Sequence, residues 1–107
     1  MKSAIWLSFD LGLRGDYEGI YTWLDQQEAK ECGDSLAFIK YDHDGDLLST
    51  LKTDLEDAIE ITKKTRIYVT FRNQDTGKPK GKFIIGSRKA APWSGYAGDN
   101  GQEEDEL

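Results

Sequence analysis

Asp10 is the residue on which the most specific chemistry could be built. It closes the run AIWLSFD, residues 4–10, and precedes a loop containing Gly12 and Gly15, which places its carboxylate at a rim. A carboxylate so placed can ligate Mg²⁺, a hard cation that takes oxygen ligands and retains several waters. One carboxylate is too little for such a site. Two copies meeting at a twofold axis would share a cation able to position water and stabilise a phosphoryl oxyanion. The plainer reading is a strand-end aspartate that accepts hydrogen bonds from its own loop. Ser8 and Ser35 add hydroxyls near strand positions. His43 is the one histidine and stands in no local pattern with either serine, so a Ser-His-Asp triad has no signature here and His43 reads as a solvated loop residue.

Two further segments carry potential sites. Asp42-His43-Asp44-Gly45-Asp46 invites a calcium reading and fails it, since the EF-hand glycine and the bidentate glutamate are both out of place, with Thr53 where the glutamate belongs. It reads as an acidic turn followed by a helix cap. The stretch 63–89 holds Lys63, Lys64, Arg66, Arg72, Lys78, Lys80, Lys82, Arg88 and Lys89 against Asp75 alone, interleaved with Tyr68, Phe71 and Phe83. Cations that neutralise phosphates beside rings that stack on bases are what nucleic-acid binding needs, and Arg66, Arg72, Lys78, Lys80, Lys82 and Arg88 are the candidates. The competing reading is a charged edge hairpin kept from aggregating by its lysines.

These residues must be positioned by a small set of elements. Ile5, Leu7 and Phe9 alternate with Trp6, Ser8 and Asp10, the period of a half-buried strand. Asp16 is placed to cap a helix whose stripe is Tyr17, Ile20, Tyr21 and Leu24. Lys30 to Cys32 and Ser35 to Tyr41 read as two strands around the turn signal Gly33-Asp34. Asp46 caps a second helix with the stripe Leu48, Leu51, Leu55 and Ile59. Arg66 to Arg72 is a strand, and Lys82 to Ser87 is its hairpin partner across a Gly- and Pro-containing turn. The order predicts an α+β fold, a ferredoxin-like βαββαβ sandwich with an extra C-terminal hairpin strand. Both helices would cover Ile5, Leu7 and Phe9, leaving the face of Trp6 and Ser8 to stay wet, bind something or pack on a second copy. Residues 1–90 form this domain. Residues 91–107 are an aromatic extension around Pro92-Trp93-Ser94-Gly95-Tyr96, either a clasp or a dimer contact, followed by a disordered acidic tail.

Composition narrows the class. A chain of 107 residues fits one domain, and its charged fraction of 32% with 37% hydrophobic residues is that of a globular protein. No apolar run approaches the roughly 20 residues needed to span a bilayer. The opening segment reads as a strand and not a signal peptide, and with Cys32 as the only cysteine a reducing cytoplasm is expected. The net charge of −6 conceals an uneven distribution, because acidic residues dominate the first 60 positions and the tail. The tail could lie over the basic stretch and compete with an anionic ligand.

The segments LSFDL, YEGIYTWLDQQEAKECGDSLAFI and TRIYVTFR, with a Leu-rich helix between the last two, resemble a known group. This is the small CRISPR-associated nuclease of spacer acquisition together with the virulence-associated protein D ribonucleases and the SinR-like proteins. The resemblance covers roughly residues 4–72. It implies a ferredoxin-like homodimer in which Asp10 would ligate Mg²⁺, Ser8 or Ser35 would orient a phosphate, and the last strand would pair with the other protomer. The expected activity is that of a metal-dependent endoribonuclease. The alternative is a non-catalytic module that binds RNA, DNA or a protein partner. The Asp-rich loop, the long basic hairpin and the acidic tail depart from the group's pattern.

Overall fold

A computed structural model describes residues 1–97. The expectation for the acidic tail falls on residues 98–107, outside the described residues. The elements are β1 (Lys2–Asp10), α1 (Tyr17–Gln26), β2 (Lys30–Gly33), β3 (Leu36–Asp42), α2 (Leu47–Ala58), β4 (Arg66–Arg72) and β5 (Pro79–Ile85). They form a small α+β domain with one antiparallel sheet in the order β2-β3-β1-β4-β5.

Both helices start where a carboxylate meets free backbone donors. Asp16 Oδ1 accepts from Gly19 N at 2.9 Å, and Asp46 Oδ2 accepts from Ser49 N at 2.8 Å. Asp16 also accepts from the backbone N–H of Glu60, at 3.0 Å, so one side chain begins α1 and fastens the chain just beyond α2. Both carboxyls are held below the usual carboxylate range, Asp16 by the Glu60 and Gly19 N–H groups and Asp46 by the Ser49 hydroxyl and N–H.

Strand alternation sorts residues onto two faces. Ile5, Leu7 and Phe9 of β1, Ala37, Ile39 and Tyr41 of β3, and Ile67 and Val69 of β4 are buried with Ile20 and Trp23 of α1, Leu51 and Leu55 of α2, and Ile59 just beyond α2. Each large side chain removed from water in this layer contributes on the order of 1.5–3 kcal/mol. The Tyr41 hydroxyl donates to Asp54 Oδ2 at 2.5 Å, linking β3 to α2, and burial with that neighbouring carboxylate keeps the phenol protonated well above its ordinary range.

The hairpin strand is displaced from its expected position. β5 begins at Pro79 and ends at Ile85, where Lys82 to Ser87 was expected. A bulge leaves Ile84 without a partner: Ile85 pairs with Ile67 and Phe83 with Tyr68. Residues of like parity therefore point to opposite faces, Ile85 into the core and Phe83 away from it. No helix among the described residues is long and apolar enough to cross a membrane.

Candidate functional site

The face of the sheet away from the helices carries two aromatic pairs. Trp6 of β1 lies opposite Phe38 of β3, with ring centroids 5.0 Å apart. Tyr68 of β4 lies opposite Phe83 of β5, edge-to-face at 4.9 Å. Thr70 pairs with Trp6, and Ser8 pairs with both Leu36 and Tyr68, so the pairs sit diagonally on adjacent strands. Gly81 is part of this construction, because a Cβ there would fall on the Tyr68 ring and hydroxyl. Trp6 is 42% exposed, which is high for an indole on a central strand.

Cations share this face with the rings. Lys30 pairs with Phe38, Lys40 pairs with Ala4, and Lys2 and Arg66 share the same alternation. The two carboxylates of this face are both compensated. Asp10 Oδ2 accepts from Arg66 Nη2 at 2.9 Å and has Lys89 Nζ at 3.9 Å, while Asp42 meets the amino terminus at 3.3 Å. At the Asp10 end, Arg14, Lys63 and Lys64 border a groove of about 460 Å³ with Leu11, Leu13 and Thr62. The helical layer has the opposite sign: Glu18, Asp25, Asp54, Glu56 and Asp57 stand on α1 and α2, with Lys52 as the one cation of either helix.

The structure separates the candidates that sequence reasoning grouped. Ser8 and Asp10 lie on the open face. Ser35, at φ 59° in the β2–β3 turn, lines a cleft of about 410 Å³ with Phe9, Tyr21, Asp25 and Asp34. It sits opposite Phe9, whose N–H donates to its carbonyl at 3.0 Å, and so belongs to the helix side. The basic stretch is likewise divided. Arg66 faces the open side, whereas Lys80 and Lys82 pair with Phe71 and Val69 and take the helix side. Arg72 Nε donates to the Gly77 carbonyl at 3.0 Å, Lys78 closes the β4–β5 turn through its own carbonyl, and Arg88 lies exposed beyond β5. Trp93 and Tyr96 are exposed at 74% and 87%, so neither clasps the sheet.

Asp10 adopts the plainer of its two readings. Besides Arg66 and Lys89 it accepts from Gly12 N at 3.1 Å. The Arg66 guanidinium, then the Gly12 N–H, hold its carboxyl below the usual range. A divalent cation would have to displace two positive groups from the oxygen it needs, and a second copy would bring its own Arg66 and Lys89. No group of three or more His, Cys, Asp or Glu side chains among the described residues is arranged to hold a metal. Within one chain Asp10 is a single carboxylate already engaged by Arg66 and Gly12 N, where Mg²⁺ takes several oxygen ligands.

His43 overturns its expectation. It is buried, 6% exposed, and stacks on Tyr41 with ring centroids 5.9 Å apart. Its Nε2 meets Ser3 Oγ at 2.8 Å and its Nδ1 meets the Gly45 carbonyl at 2.9 Å. No signal in the sequence pairs residues forty positions apart. Lys2, Lys30 and Lys40 were also missed, although strand parity places each with Trp6 or Phe38.

Comparison of the chain with protein-family models, curated proteins and solved structures found no match.

Proposed function

We propose that this chain binds single-stranded nucleic acid across the open face of the sheet, a face that itself needs no catalytic group. The observation that carries the reading is the combination of two open-face aromatic pairs with Lys2, Lys30 and Lys40 on the same face. A sheet face that sets lysines beside partly exposed rings is suited to a polyanion with stackable groups. Bases would stack on Trp6 and Phe38 and on Tyr68 and Phe83, while the lysines meet phosphates. Duplex would be disfavoured because its bases are already stacked. The strand order supports reading the domain as ferredoxin-like with an added edge strand.

The metal-dependent ribonuclease reading shares the ligand but needs Asp10 as a cation site, and the Arg66 and Lys89 contacts speak against it. The test is fluorescence anisotropy with labelled single-stranded RNA and DNA 12-mers. Stacking is worth about 1–3 kcal/mol per base, so Trp6→Ala should weaken binding by roughly 5- to 150-fold. Lys82→Gln, on the other face, should change it little. Absence of wild-type binding at low salt, or equal affinity in the Trp6 variant, would remove the proposal.

A further inference from the structure

Ser3, His43 and Gly45 form a relay that the nucleic-acid face does not use. Ser3 is in β1, and His43 follows β3 in the turn that leads to α2. A carbonyl oxygen only accepts, so the 2.9 Å contact requires that His43 Nδ1–H donates to Gly45 O. In the neutral ring Nε2 is then an acceptor, and Ser3 Oγ–H donates to it across 2.8 Å. The ring is further held by the Tyr41 stack and by its backbone N–H, which donates to the Met1 carbonyl at 2.9 Å.

The pair borders a cavity of about 320 Å³ that also touches Leu47, Phe71, Arg72 and Asn73. Asp46 and Leu47, at the start of α2, also border this cavity, and Asp46 Oδ2 is taken up in capping the helix at Ser49 N. The Gly45 carbonyl would hold the Nδ1–H of an imidazolium formed at His43 as it holds that of the neutral ring. A nucleophile, its base and a group orienting the base beside a pocket are the core parts of an acyl-transfer site.

We infer that Ser3 is a nucleophile activated by His43, and that the cavity takes small carboxylic esters. Ser3 Oγ forms a bond to the ester carbonyl carbon as its proton passes to His43 Nε2 and the carbonyl electron pair moves to oxygen. Collapse of that oxyanion breaks the bond to the alkoxy group, which leaves with the proton from Nε2. Water then attacks the acyl-serine, giving its proton to Nε2. The carboxylic acid departs as Ser3 recovers its proton. The acyl group would lie against Leu47 and Phe71.

A fluorophosphonate probe tests this directly. Ser3 Oγ would bond to phosphorus, fluoride would leave, and the serine proton would leave by way of His43. Peptide mass spectrometry should locate the adduct on Ser3, with Ser8, Ser35, Ser49, Ser87 and Ser94 as controls within the same molecule. His43→Gln should slow labelling by about 10²–10⁴-fold, with circular dichroism verifying its fold. Turnover of p-nitrophenyl acetate should vanish in Ser3→Ala. An unlabelled wild-type Ser3, labelling spread evenly over the serines, or undiminished labelling in a folded His43→Gln would overturn the inference. None of these outcomes bears on oligonucleotide binding.

Discussion

Gly81 has no side chain, yet it positions one. Tyr68 lies across the space a Cβ would occupy, so Gly81→Ala must push the ring off its place beside Phe83. Overpacking of this kind costs about 1–3 kcal/mol. The expected result is a lower urea midpoint with an unchanged slope, together with weaker oligonucleotide binding. Adding Tyr68→Leu should restore the midpoint without restoring binding. Recovery of both would mean that Tyr68 contributes nothing to the ligand. Asp10 also acts through its neighbours: an isolated strand-end carboxylate could attract a cation, but one already met by Arg66, Lys89 and a backbone N–H cannot do so without losing them. Its type and position were legible in the sequence, but its partners were not. Arg66 is 56 positions away and becomes its register partner only when β4 joins β1.

At the scale of elements, the helix caps set a pH response. Asp16, Asp46 and Asp10 all titrate below the ordinary aspartate value in the folded chain, because the charged form accepts hydrogen bonds that the unfolded chain lacks. Each therefore stabilises the fold fully above the unfolded value, near 3.9, and ceases to do so as pH falls through the lower folded value. Urea midpoints measured from pH 6 to pH 2.5 should hold their level until about pH 4 and then decline. Asp16→Asn, which keeps an acceptor but no charge, should make the decline shallower. A midpoint that is flat to the lowest pH would contradict the capping account. These caps were readable in advance because Asp16 and Asp46 act within three residues of themselves. The β1 alternation was readable for the same reason. The β5 bulge was not, since parity alone puts Phe83 and Ile85 on one face, and only pairing with Tyr68 and Ile67 separates them. For the same reason the basic stretch looked like one patch and proved to be two sides of a strand.

The described residues are electrically two-sided, with acidic helices behind a sheet face bearing Lys2, Lys30, Lys40 and the Asp10-paired Arg66. Binding driven by that face should be salt-sensitive, with the logarithm of the affinity falling by about 0.7 per neutralised phosphate for each tenfold rise in salt. Three to four phosphates would give a slope of about −2 to −3 between 50 and 200 mM salt. Lys30→Gln and Lys40→Gln should each reduce its magnitude by about 0.7, uniformly across oligonucleotide sequences. A slope that ignores both substitutions would place the anion elsewhere. Charge totals hid this polarity, because five of the six net negative charges lie in residues 98–107 and the near-neutral remainder averages two layers that only the fold separates.

The tryptophans occupy three different surroundings: Trp23 is packed between α1 and the sheet at 5% exposure, Trp6 is half open among rings, and Trp93 stands in solvent at 74%. Intrinsic emission should therefore resolve into a blue component indifferent to quenchers, a middle one and a red one that iodide removes. A ligand lying on the strands would shield or quench the middle component alone, so the molecule carries an optical gauge of occupancy at its own surface and needs no added dye.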